Sequence, residues 1–197
     1  MLAFFAGLAA GLLHVFAGPD HLAAVAPLAV DEGDQPRWRV GLQWGIGHTA
    51  GVVSIALLLL LVKEQLPLAL ISAYSERLVG MALIAVGAWG VWRARRAALP
   101  SHSHGGASFA MGTVHGLAGS SHLFGVLPAL AFSSRGESAL YLAGFGAGAI
   151  TGMSAFAAGM GLLSGTLVRS NRLRYSSLLY ASSAAALVIG GVWLVGH

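Results

Sequence analysis

The sequence predicts an all-α membrane protein with six transmembrane helices, arranged as two inverted three-helix repeats and with the first helix broken at Gly18-Pro19. Three observations predict this fold. Of the 197 residues, 56% are hydrophobic and only 9% are charged, against roughly a quarter charged in soluble domains. The apolar runs are continuous and not alternating, which indicates helices instead of a barrel. A pattern of His, Gly and Pro recurs at a constant shift in the second half.

Six apolar stretches have the ~20 residues that a bilayer crossing requires. They cover residues 2–30, 38–62, 70–93, 107–132, 138–165 and 174–196. The first stretch is long, and Gly18-Pro19 predicts a break in it because proline lacks the N–H that a helix interior uses. The third contains Glu76 and Arg77 near its start. The connections between the stretches are short and polar, beginning with DEGDQPR after the first.

The second half of the chain repeats the first at a shift of 101 residues. HVFAGPDHLAAVAP (14–27) aligns with HGLAGSSHLFGVLP (115–128), and the same shift places WGIGHTAG (44–51) over FGAGAITG (145–152) without a gap. A constant shift across two helices indicates an internal duplication. Because each copy has three helices, the second copy starts on the opposite face of the membrane. Secondary transporters often use such inverted repeats, with the substrate site at mid-depth between them.

The two repeats, residues 1–98 and 99–197, are expected to form one membrane domain. Basic residues concentrate at the odd-numbered connections, where Arg37, Arg93 and Arg172 lie. Because basic loops stay in the cytoplasm, we expect an integral protein of the inner (plasma) membrane with both termini outside. The N-terminal segment lacks the basic start of a signal peptide, so we interpret it as a retained helix.

Several residue types narrow the range of functions. The absence of cysteine removes disulfides, thiolate metal sites and a dithiol relay. His102 and His104 lie in a connection, where a metal-collecting tract and a plain solvated linker are both open. Six glycines have the small-xxx-small spacing that predicts close helix packing. They are Gly45, Gly47, Gly51, Gly144, Gly148 and Gly152.

Ionisable residues inside the apolar stretches indicate a site, because they are costly at membrane depth and are functional candidates by default. His21 and His48 lie about thirteen residues before and about fourteen after the turn near residue 34. At ~1.5 Å per residue they are at matching depth on adjacent antiparallel helices. The duplicated histidines complete a predicted metal site. Its members are His14, Asp20, His21, His48, His115 and His122.

The chemistry of this set points to a transition metal. Imidazole nitrogen suits Ni(II), Co(II), Zn(II) and Cu(II), and Asp20 adds an oxygen ligand and a compensating charge. The two repeats are not equivalent, because Ser121 stands in place of Asp20 and Ala149 in place of His48. We therefore expect the first repeat to carry the main binding site and the second to complete it. For any single histidine, the alternative is an interhelical hydrogen-bond partner.

The same segments resemble a known family. HVFAGPDHLAAVAPLA resembles the first-helix signature of the nickel/cobalt transporter superfamily, particularly its branch of short urease-accessory-like membrane proteins. WGIGHTAG resembles the second-helix motif of that branch and HGLAGSSHLFGVLPAL its fourth. The resemblance covers most of residues 11–54 and 112–152. It implies a metal path formed by His14, Asp20, His21 and His48. The main transporters place four residues between the first His and the Asp, where this chain has five.

We therefore expect a secondary transporter and not an enzyme. Its cargo would be a divalent transition-metal ion, nickel or cobalt first, carried by alternating access through a midplane site lined by His and Asp. No tightly bound cofactor is expected. The expected partners are membrane lipid and the metal ion; metalloenzyme maturation proteins and a homo-oligomer are further candidates, and nucleic acid is not expected.

Three alternatives stay open. A haem-handling or metallo-cofactor assembly protein would use the same histidines as axial ligands. An intramembrane metalloenzyme would use a histidine-bound metal, although the chain has no HExxH motif. A substrate-binding subunit of an ATP-driven importer would rely on a partner for ATP, because the chain has no Walker A loop.

Overall fold

The computed structural model of the chain describes residues 1–31, 36–62, 68–96, 105–118, 120–170 and 172–195, which contain eight helices and no strands. The helices are α1 (Leu2–Ala17), α2 (Pro19–Asp31), α3 (Trp38–Val62), α4 (Leu68–Arg95), α5 (Gly105–Ala118), α6 (Ser120–Ala131), α7 (Arg135–Ser170) and α8 (Arg172–Val195).

Four of the described helices are long and apolar enough to cross a membrane. The qualifying segments are Trp38–Leu57 in α3, Arg77–Arg95 in α4, Arg135–Thr166 in α7 and Tyr175–Val195 in α8. Helices α1 and α2 pass the same test as a pair, with a bend of 73° between them. If this bent pair is counted as a single span, the described residues contain five spans. The predicted helical membrane protein is therefore confirmed. The predicted fourth span is occupied by α5 and α6, on either side of Gly119, which lies outside the described residues.

The first span is broken where the sequence predicts it. α1 ends at Ala17 and α2 begins at Pro19, a favoured first helical residue because its missing N–H is not needed there. The Gly18 N–H donates to the carbonyl oxygen of His14 at 3.1 Å, and the His21 N–H donates to the carbonyl oxygen of Gly18 at 3.1 Å. The chain therefore turns sharply while these backbone groups stay hydrogen-bonded.

Helix α2 is enclosed by protein. All of its residues from Asp20 to Asp31 are buried except the partly buried Leu22, and it packs against α4, α7 and α8. Small alanine side chains let the neighbouring helices approach it closely. The enclosure begins at Asp20, since Ala17 and Pro19 at the break are exposed and Gly18 is partly buried.

Two helix interfaces have glycines at their points of closest approach, and these glycines occupy corresponding positions in the two halves of the chain. A Cβ at Gly11 would overlap the carbonyl oxygen of Phe145, where α1 packs on α7. A Cβ at Gly112 would overlap the carbonyl oxygen of Trp44, where α5 packs on α3. Adding 101 to Gly11 and subtracting 101 from Phe145 gives Gly112 and Trp44. The two interfaces therefore use corresponding residues of the two halves.

A second pair of contacts follows the same rule. A Cβ at Gly148 would overlap the carbonyl oxygen of Leu8, and a Cβ at Gly47 would overlap that of Phe109. These pairs are again related by the shift of 101 residues. Helix α4 packs on α8, and α3 packs on α7. In each of these pairs, the two helices occupy corresponding positions in the two halves of the chain. Close helix packing through Gly47 and Gly148, predicted from their spacing, is confirmed.

Candidate metal centre

Four histidines and one aspartate meet beside the break between α1 and α2. His14 lies in the last turn of α1, and Asp20 and His21 lie in the first turn of α2. His48 comes from the middle of α3 and His115 from the last turn of α5. All except the partly buried His14 are at most 3% exposed. Trp44, which belongs to the same apolar core as Val15, Ala149 and Met153, packs against three of the rings.

The imidazole rings contact one another, with His21 in the centre. Its ring centroid lies 4.5 Å from that of His14, 5.1 Å from that of His48 and 4.7 Å from that of His115. The rings of His14 and His48 are stacked at 5.6 Å. His21 and His48 thus meet at the common depth expected from their distances to the intervening turn, and the bend at Gly18 brings His14 onto the same point.

The carboxylate of Asp20 lies between two of the rings. Its Oδ1 is 3.1 Å from Nδ1 of His21, and its Oδ2 is 3.1 Å from Nε2 of His115. A carboxylate in this position can orient the imidazoles or serve as a ligand itself. Because His115 belongs to the second half of the chain and Asp20 to the first, the carboxylate also links the two halves.

Two aromatic side chains that the sequence pattern did not single out, those of Trp44 and Phe145, pack against the histidines. Trp44 is fully buried, and its ring stacks on that of His48 at a centroid distance of 4.9 Å. It also lies 5.6 Å from the ring of His21. Phe145, which aligns with Trp44 under the shift of 101 residues, lies 5.3 Å from the ring of His14. Trp44 precedes His48 by one helical turn, a spacing that places both on one face of α3 and could have identified it.

The structure brings together five of the six predicted site residues. The sixth, His122, lies in α6, and its side chain is outside the described part of the chain. His102 and His104 also lie outside the described residues. Metal binding by the five stays a prediction.

The five donors contain two groups of three that could hold a metal ion. One group is His14, His21 and His48, and the other is Asp20, His21 and His115. Within each group, one ligand atom per residue lies within 4.8 Å of the others. A set rich in nitrogen suits Co(II), Ni(II), Cu(II) or Zn(II), whereas Mg²⁺ and Ca²⁺ prefer oxygen ligands.

A second buried polar cluster, which the sequence did not predict, lies at the other end of α2. The Arg93 Nε–H donates to Oδ1 and Oδ2 of Asp31 at 3.1 and 2.9 Å, and the Tyr175 hydroxyl donates to Oδ1 at 2.8 Å. The Ser164 hydroxyl donates to the carbonyl oxygen of Val30 at 3.1 Å. Asp31, expected in a polar connection, is instead the last residue of α2 and only 1% exposed. The cluster ties α2 to α4, α7 and α8.

Comparison with known proteins finds no matching family model and no matching solved structure. The chain is 35% identical over 206 residues to Chloroplast protein FOR GROWTH AND FERTILITY 1 of Arabidopsis thaliana, covering 93% of the chain and 56% of that protein. It is 36% identical over 200 residues to Chloroplast protein FOR GROWTH AND FERTILITY 2 of the same plant, covering 93% of the chain and 54% of that protein.

A third relative is more distant. The chain is 28% identical over 175 residues to Urease accessory protein UreH of Bacillus sp. (strain TB-90), covering 79% of the chain and 75% of that protein. The chain thus spans little more than half the length of the two chloroplast proteins, and it is similar at greater distance to a urease accessory protein.

Proposed function

We propose that the chain is a secondary transporter of a divalent transition-metal ion, with Ni(II) and Co(II) as the first candidates, and not an enzyme. The observation that carries the proposal is the convergence of four imidazoles and one carboxylate, from four helices, inside an apolar core. Groups of this kind are costly at membrane depth, and a nitrogen-rich set suits these ions. The similarity to a urease accessory protein supports a role connected with urease.

The proposed architecture is six spans in two inverted repeats, residues 1–98 and 99–197. The matched registers of the α1–α7 and α5–α3 interfaces support it, because a two-fold axis in the membrane plane would exchange one interface with the other. The cluster lies where α2 of the first repeat meets α5 of the second. Rocking of one repeat against the other around such a site would expose it to the two sides in turn.

The spacing of the rings favours an ion over a haem. Five of the imidazole pairs have ring centroids 4.5 to 5.9 Å apart, and the ring of His48 stacks on that of Trp44. A metal ion fits between such donors after small side-chain movements, whereas a porphyrin requires a slot between two of them. The proposal therefore includes no tightly bound cofactor; the metal is cargo.

The central ring provides the test. His21→Ala removes the imidazole that contacts three others, and we expect uptake of Ni(II) and Co(II) into proteoliposomes to fall to the level of empty liposomes. Leu13→Ala is the control, because this side chain on α1 is 69% exposed and should leave uptake unchanged. Circular dichroism and gel filtration check that both variants fold. Wild-type uptake by a folded His21→Ala protein would contradict the assigned role.

A further inference from the structure

The donors of the candidate metal centre form two sets that overlap in one residue. His14, His21 and His48 form the first set, and Asp20, His21 and His115 form the second, each with its ligand atoms within 4.8 Å of one another. Imidazole ligands about 2.0–2.1 Å from a zinc-like ion lie within roughly 4 Å of each other. Each set therefore needs only small side-chain movements to close on an ion.

His21 can serve both sets because imidazole has two nitrogen atoms on different edges of the ring. Its Nδ1 lies 3.1 Å from Oδ1 of Asp20. This nitrogen therefore faces the donors of the second set. The ring of His21 also contacts those of His14 and His48. One side chain thus borders both possible positions of an ion.

The charges of the cluster allow one ion at a time. Metal-bound histidines are neutral, so Asp20 is the only anion among the five donors. Two adjacent dications would leave three uncompensated positive charges inside the protein, where repulsion between charges is strong. The two sets are therefore alternative positions for a single ion and not the halves of a binuclear centre.

The two sets also differ in which part of the chain supplies them. The first set comes entirely from α1, α2 and α3, within residues 1–98. The second includes His115 of α5, from residues 99–197. An ion in the first set contacts one proposed repeat, whereas an ion in the second is held between both. The contact between repeats is what changes in alternating access.

We infer that the centre is a two-position site, in which a single ion moves between the His14–His21–His48 set and the Asp20–His21–His115 set, and His21 binds it through a different ring nitrogen in each position. This inference rests on the proposed function. It assigns His48 and Asp20 to different positions of the ion, so that loss of either one removes one position and leaves the other.

Co(II) binding to the purified full chain tests this assignment. Isothermal titration gives the stoichiometry, and X-ray absorption counts the coordinated imidazoles. We expect His48→Ala to bind one Co(II) through two imidazoles and an oxygen, and Asp20→Asn to bind one Co(II) through three imidazoles. We expect His21→Ala, and the milder His21→Asn, to weaken binding at least a hundredfold. Ser54→Ala, an exposed position on α3, should match the wild-type chain.

Three results overturn the inference. Two Co(II) ions per wild-type chain indicate a binuclear centre. Loss of binding in His48→Ala or Asp20→Asn as complete as in His21→Ala indicates one joint five-donor site. A wild-type chain that binds no Co(II) overturns the proposed function as well. If the variants bind as expected but wild-type proteoliposomes show no metal flux, only transport is refuted and the two-position site stands.

Discussion

Glycine is needed at position 18 because the side chains that follow it occupy the space of a Cβ, and not because its backbone conformation excludes other residues. Its φ of −92° and ψ of 99° are extended angles that other residues adopt. A Cβ at this position would overlap Nδ1 of His21 and lie 2.9 Å from Oδ1 of Asp20. The imidazole and the carboxylate therefore occupy the space that a side chain at Gly18 would take.

Gly18→Ala should displace His21 and Asp20 while the helix break persists, because Pro19 still begins α2. We expect Co(II) affinity to fall by roughly 10- to 100-fold, the effect of altering groups that orient metal ligands, with little change in helical content. Gly159→Ala is the control, since a Cβ there has no neighbouring atom within 4 Å. Calorimetric titration compares the two, and equal affinities would show that the space at Gly18 is not needed.

The helices approach one another through backbone contacts at glycine. In a membrane, packing and not the hydrophobic effect holds helices together, and small residues permit the close approach that packing needs. A side chain at Gly11 or Gly112 would overlap a carbonyl oxygen of the facing helix, and a helix backbone cannot yield as a flexible side chain can. These two positions therefore set the distance between α1 and α7 and between α5 and α3.

Gly11→Ala and Gly112→Ala should each destabilise the protein by about 1–3 kcal/mol, the cost of overpacking a tight contact. We expect the two losses to be similar, because the interfaces have the same register. Denaturant unfolding in detergent measures them, with Gly191→Ala, whose Cβ would meet nothing within 4 Å, as the control. A loss in only one variant would count against equivalent interfaces and weaken the proposed inverted repeat.

Across the whole molecule, α2 joins the candidate metal centre to one end of the helix bundle. Its 13 residues correspond to about 20 Å. Asp20 and His21 lie at its start, and Asp31, bound by Arg93 and Tyr175, lies at its end. A movement of α2 would therefore affect both polar clusters, since the helix is enclosed along its length and packs on elements of both halves.

The number of spans decides on which side of the membrane the termini lie. Six spans place both on one side, and the chain has no cysteine that would give background labelling. We expect Leu2→Cys and Val195→Cys, at the start of α1 and the end of α8, to react with a membrane-impermeant maleimide in intact cells. Arg39→Cys should react only after permeabilisation. Labelling of one terminus but not the other would indicate five spans and refute the proposed topology.

The sequence alone determined the helical class, the position of the break and five of the residues that meet at the candidate metal centre. These features are local or one-dimensional. Continuous hydropathy gave the second span as 38–62, which is α3, Trp38–Val62. Gly18-Pro19 marked the break, and the shift of 101 residues paired His14 with His115. A histidine inside an apolar stretch can be recognised from the sequence alone, because ionisable side chains are rare and costly at membrane depth.

Only the tertiary structure decided how these residues combine. Asp31 bonds to Arg93 and Tyr175, which are 62 and 144 residues away, and nothing in the sequence around Asp31 specifies those partners. The division of the donors into two sets that share His21 likewise depends on the 73° bend between α1 and α2 and on the register of α3 and α5 against them. The periodicity of one helix shows which of its faces is apolar. It does not show which residues of other helices pack against that face.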